Sequence, residues 1–164
     1  MNDEKGQLSG EYMLLVGSLI VVLMISIFMI ANENELNIAM VAAKSGADEG
    51  VASSSSAIYP KETFNEYDDR EGLKHPYSVS IVNVSYNSSG IDENYGKQKI
   101  QFKVYAKASV DYNKKELDSI GDRINYNLRK SVATSFNTTD STNKLYNPVF
   151  SNNYVFTTAN VVWV

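Results

Sequence analysis

The sequence predicts an α+β protein: a long N-terminal α-helix that enters a membrane, followed by a small antiparallel β-rich domain with one packed amphipathic helix. Three observations carry this. Residues 12–31 contain no charge; apolar residues recur at helical spacing from Leu36 to Val51; and residues 100–112 alternate apolar and polar before a capped helical segment. These divide the chain into a helix over residues 7–57, with its span at 12–31, and a head over 58–164.

The uncharged run reads YMLLVGSLIVVLMISIFMIA, 20 residues. As a helix it is roughly 30 Å long, about one bilayer core. An ordinary cleaved secretory signal has about 7–15 apolar residues, a basic start and a small-residue cleavage site. Here the run is longer, residues 2–5 are not net basic, and no such site follows Ile30. The run therefore reads as a retained anchor, either a plain span or one that also packs on other helices.

The helical pattern continues past the span. Leu36, Ala39, Met40, Ala43, Ala47 and Val51 share one face, and Glu33, Lys44, Asp48 and Glu49 lie opposite. Serines at 53–56 and Pro60 end it. A helix from about Gln7 to Ser54 would be on the order of 70 Å long. Such a rod cannot bury its own stripe, so it needs the downstream domain or other copies of itself.

In the head, Ile100, Phe102, Val104, Ala106, Ala108, Val110 and Tyr112 fall on one face of a strand. Gln101, Lys103, Lys107 and Asp111 fall on the other, with Tyr105 as an apolar exception. In YSVSIVNVSY, residues 77–86, the alternation changes phase at Ile81-Val82, which predicts a bulge or burial on both sides. Residues 87–97 read as a long hairpin loop. Asn113 and Glu116 form a capping-box pattern, and Leu117, Ile120, Ile124, Leu128 and Val132 then recur on a helix at about 114–134. Arg129 and Lys130 near its end suit the helix dipole. Residues 137–143 read as loop and 154–164 as a terminal strand, with Trp163 expected in the core.

The segment that leads into the span is Lys5-Gly6, then Gln7-Leu8-Ser9-Gly10-Glu11-Tyr12-Met13-Leu14-Leu15. It resembles the class III signal peptide of archaeal type IV pilins: a short polar leader ending in Lys-Gly, then Gln-x-Ser-x-Glu-x-x-x-Leu, then an apolar helix. The resemblance covers about the first 31 residues. It implies a leader of residues 1–6, cut between Gly6 and Gln7 by a prepilin peptidase recognising Lys5, Gly6, Gln7, Ser9 and Leu15. The mature protein keeps its helix. It also implies that Glu11 neutralises the new α-amine of Gln7 on a neighbouring subunit during assembly. Taken by itself, Glu11 is an interfacial carboxylate in the first turn of a helix starting near Gln7, where the dipole favours an anion. Many bacterial members carry a proline within this helix. Here the first proline is Pro60, which predicts a helix without a proline kink.

Lys5 is the only basic residue before the span, and none follows until Lys44, which favours a cytoplasmic N-terminus. The sequons at Asn83, Asn87 and Asn137 are candidate N-glycosylation sites and would place the head outside. A net charge of -4 argues against a nucleic-acid partner. The chain has no cysteine and one histidine, His75, expected in solvent, so no thiolate or transition-metal site is expected. Glu66, Asp68, Asp69 and Glu71, and Asp92 with Glu93, read as solvated loop charge. No catalytic or nucleotide motif is present, so neither an enzyme nor a cofactor is expected.

Two functions follow from this reading. One is a structural subunit of a surface filament that serves adhesion; its implied partners are the peptidase, an assembly platform with its ATPase, related pilins, and the membrane before assembly. It would be a single-pass membrane precursor and then an extracellular filament. The other is a membrane-tethered extracellular binding domain, with a pseudopilin of a secretion system between the two.

Overall fold

The computed structural model describes residues 3–55, 75, 77–143 and 145–164. Glu66, Asp68, Asp69, Glu71 and Pro60 lie outside the described residues, as do the side chains of Lys5, Gly6 and Gln7. The architecture is α+β: helix α1 (Asp3–Ser55), strands β1 (Val79–Asp92) and β2 (Lys97–Ala108), helix α2 (Lys114–Ser135), then β3 (Val149–Phe150), β4 (Tyr154–Thr158) and β5 (Val162–Trp163). Two compact units divide at Leu36/Asn37, so the last turns of α1 belong with the sheet.

In the first unit α1 is helical from Asp3, within the expected leader, and no proline interrupts it. The large apolar side chains from Tyr12 to Ile30 are all exposed except Val16, which is half-buried. Ser18 and Ser26 donate to the carbonyls of Leu15 and Val22 at 2.8 and 2.9 Å. Their hydroxyls are thereby satisfied inside the helix, as an apolar surround requires.

In the second unit the expected stripe is the one that packs. Ala39, Ala43 and Ala47 are fully buried and Val51 nearly so, while Lys44, Asp48 and Glu49 are exposed. Gly46 and Gly50 are also buried and bring α1 onto the backbone of α2. From α2 come Ile124, Leu128 and Val132, all at zero exposure. The sheet contributes Ile100, Phe102, Val104 and Ala106 from β2, Val149 from β3, and Val155 and Phe156 from β4. Phe102 and Phe136 each stack on Phe156, with ring centroids 5.6 and 5.7 Å apart.

The sheet order is β1-β2-β4-β3, with β5 also paired to β2. β1–β2 and β3–β4 are antiparallel, as expected, but β4 and β5 run parallel to β2. The cause is connectivity: α2 carries the chain back along the sheet, and a crossover of that kind returns a strand parallel to its predecessor.

The expected irregularity in β1 forms, and four other local details differ from the sequence expectation. The phase change in β1 is a bulge between Ile81 and Asn83, which leaves Val82 exposed. The long hairpin loop is instead a tight turn at 93–96, because pairing continues through a second register shift to Asp92↔Lys97. Gly96, at φ 63°, closes that turn by donating to the Asp92 carbonyl at 2.8 Å. The strand expected to reach Tyr112 ends at Ala108, and the strand expected over 154–164 is broken into β4 and β5. Trp163 is accordingly half-buried rather than in the core: β5 meets only Tyr105 and Ala106 of β2.

Candidate functional site

Two regions carry side chains that the packing of the head leaves available. The first is the N-terminal part of α1. Ser9, Glu11 and Leu15 are exposed, and the backbone of residues 5–7 is helical. Gln7 and Glu11 are four residues apart, one turn along the same helix face. Within the described residues this is one helix long and apolar enough to cross a membrane, and none of its most apolar window is buried. Glu11 is exposed at the entrance to this run, where a carboxylate entering an apolar surround calls for a cationic partner.

The candidate glycosylation residues all lie in the head and are exposed. Asn83 and Asn87 pair with Tyr105 and Gln101 and share the face of β1 opposite Val84, which packs inward. Asn137 has a backbone role that its sequon does not reveal. It follows the last turn of α2 in the left-handed region, at φ 53°. Its N–H donates to Thr134 at 3.1 Å, and the Thr138 N–H donates to Ala133 at 2.9 Å. This paired arrangement closes the helix C-terminus, and Asn is among the few residues that tolerate it.

Of the acidic pair in the hairpin, Asp92 is engaged locally. It accepts from the Asn94 N–H at 3.0 Å and lies 3.9 Å from Lys99 Nζ. His75 is exposed.

The second region is a cleft between α2 and the chain's last strand, with a volume of about 400 Å³. α2 supplies Lys114, Asp118, Asp122 and Asn125, spaced to form one stripe. The facing wall includes Asn160 and Trp163. The walls are fixed from both sides. The capping box sets the start of α2: Asn113 Oδ1 accepts from the Glu116 N–H at 3.0 Å, and Glu116 Oε2 accepts from the Asn113 N–H at 3.2 Å. Opposite, the Val164 N–H donates to the Ala106 carbonyl at 2.9 Å. Gly121 faces Val161, and a Cβ added there would lie 3.4 Å from Val161 Cβ, an ordinary van der Waals contact.

Asn125 is 7% exposed. Its Nδ2 donates to the Ala159 carbonyl at 2.9 Å, and its Oδ1 has no hydrogen-bond partner among the described residues. A buried acceptor left unpaired costs about 1–3 kcal/mol. Along the same helix Arg129 does not act on the helix end. Its Nη1 donates to Thr158 Oγ1 at 2.5 Å and its Nε to the Leu145 carbonyl at 3.4 Å. Burial lowers the guanidinium pKa from its usual value, while the charge of Asp122 opposes that shift.

The sequence does not announce this cleft. Asp118, Asp122 and Asn125 lie at helical spacing, but nothing in the sequence says what faces them. No protein family, curated protein or solved structure matches this chain.

Proposed function

We propose that the chain is a prepilin, the structural subunit of an archaeal type IV pilus-like surface filament that polymerises through its N-terminal helix and serves adhesion. The observation that supports this best is a contrast within α1. From Ala39 to Gly50 its alanines and glycines are buried in the head, whereas its large apolar side chains from Tyr12 to Ile30, all but Val16, are exposed. An apolar surface of that extent requires lipid or other helices to cover it. The Lys5-Gly6/Gln7…Glu11 motif at its entrance resembles a signal for both in turn: insertion as a precursor, then release into a helical bundle after cleavage.

In this reading a prepilin peptidase cuts before Gln7, and an assembly platform with its ATPase moves the subunit from the membrane to the filament. Glu11 meets the Gln7 amine of a neighbouring copy and sets axial register. The head lies outside the cell, with Asn83, Asn87 and Asn137 available to glycosylation.

Mass spectrometry of sheared surface filaments tests this directly. The expected result is this chain as a filament component with Gln7 as its first residue. Recovery only from membranes, with the leader still attached, would reject the reading in favour of a tethered binding domain, which the cleft beside Trp163 would then serve.

A further inference from the structure

We infer that the cleft between α2 and β5 binds a hydroxyl-rich ligand, a single sugar ring. Charge and geometry select this class from the alternatives. Asp118 and Asp122 repel a phosphate or carboxylate. Lys114 on the same stripe opposes a bare divalent cation, which would have only those two carboxylates as anionic ligands in the cleft. A purely apolar ligand would strip water from charged groups without replacing their hydrogen bonds.

A sugar ring fits the donor set and the shape. Its hydroxyls donate to the Asp118 and Asp122 carboxylates, and its oxygens accept from Lys114 and from the Asn160 amide. Asn125 lines the cleft, and its Oδ1, buried and without a partner among the described residues, is an acceptor that a ligand hydroxyl or amide N–H would satisfy once a side-chain rotation opens it to the cleft. The Asn125 amide orientation is set by its bond to Ala159, so Oδ1 rather than Nδ2 is the free end. Trp163 supplies an amphipathic aromatic wall for the C–H face of the ring. The volume of about 400 Å³ is at the small end of ligand pockets, suited to one ring rather than a long chain.

This site would give the proposed adhesion a contact point, and to that extent deepens it. The binding itself needs no polymerisation, so the test below fails or succeeds independently of the filament test.

Trp163 is the chain's single tryptophan, so its fluorescence reports on the cleft alone. The full-length chain is held in dodecylphosphocholine micelles, which contain no sugar to compete. Methyl β-D-glucopyranoside, methyl α-D-mannopyranoside and N-acetyl-D-glucosamine are titrated, with calcium chloride and ethylammonium chloride as separate arms. The side-chain amide signals of Asn125 are followed in parallel by NMR. The expected result is a saturable response of both probes to at least one sugar. Asp118→Ala and Asp122→Ala should each weaken it about tenfold, the loss of one charge-assisted hydrogen bond. Glu93→Ala, in the distant hairpin turn, should leave it unchanged. Silence of both probes toward every sugar up to about 50 mM, far above millimolar affinity, overturns the inference. So does a saturable response to calcium or ethylammonium alone that the aspartate variants abolish, since the cleft would then be a cation site.

Discussion

Gly46 of α1 lies against Leu128 of α2 with no room between them for a side chain. A Cβ at Gly46 would sit 2.8 Å from Leu128 Cα and 2.5 Å from the Asn127 carbonyl oxygen. One turn on, a Cβ at Gly50 would sit 2.7 Å from Ile124 Cα. The obstacles are backbone atoms, so the helices themselves would have to separate.

Gly46→Ala sets two effects against each other. Alanine gains up to about 1 kcal/mol of helix propensity, and overpacking costs about 1–3 kcal/mol. Against backbone the cost wins, and a net loss of about 1–2 kcal/mol is expected, seen as a lower melting temperature of the head by circular dichroism. Gly17→Ala is the matched control: nothing lies within 4 Å of its added carbon, so no loss of stability is expected.

The capping box at Asn113 and Glu116 is exposed to solvent and reciprocal. Asn113→Ala should destabilise by about 1 kcal/mol. Adding Glu116→Ala in that background should cost less than Glu116→Ala alone, because the pair acts as one unit. Urea denaturation of the single and double variants gives the coupling.

Phe156 is the shared partner of three ring stacks, with Phe102, Phe136 and Tyr154, and is 1% exposed. Phe156→Ala should cost about 3–5 kcal/mol, a large part of the stability of an ordinary domain. The variant should lose near-UV circular dichroism at a temperature where the parent is folded. Phe156→Leu should be much milder.

Asn137 serves the chain as a helix cap whether or not it carries a glycan. Thr139→Ala should remove any glycan while leaving stability unchanged, whereas Asn137→Val should cost about 1–2 kcal/mol through the left-handed backbone it must adopt. Intact mass and thermal melting of the two variants separate the roles.

Replacing Gly6 with a bulky residue should leave the leader attached, as read by the mass of the N-terminal peptide. Glu11→Ala should be cleaved normally yet yield no filaments by electron microscopy. Intact filaments from Glu11→Ala would remove the register role assigned to that carboxylate.

Much of the fold is legible in the sequence because its signals are local. Ile124, Leu128 and Val132 recur at helical spacing and are all fully buried; Ile100, Phe102, Val104 and Ala106 alternate and all face inward. Asn113 and Glu116 mark the start of α2 three residues apart, and both halves of the box form. The hairpin turn is not legible, because Ser88-Ser89-Gly90 has loop chemistry while the cross-strand pairing on either side overrides it. The break between β4 and β5 is equally hidden, because a β-branched run has the same local preference whether or not its neighbour continues beside it.

Residue type and spacing over a few turns are enough to set where grease lies along α1, the stripe of small residues at 39–51, the strand and helix faces of the head, and the Lys5–Leu15 motif. Other features are fixed only once the chain is folded. These are the parallel course of β4 and β5 beside β2, the meeting of Gly46 and Gly50 with the backbone of α2, and the buried oxygen of Asn125, without a partner among the described residues, in the residue that lines the cleft beside Trp163. They depend on which remote segments are brought together, and a contact between two such segments leaves no mark on the residue spacing of either.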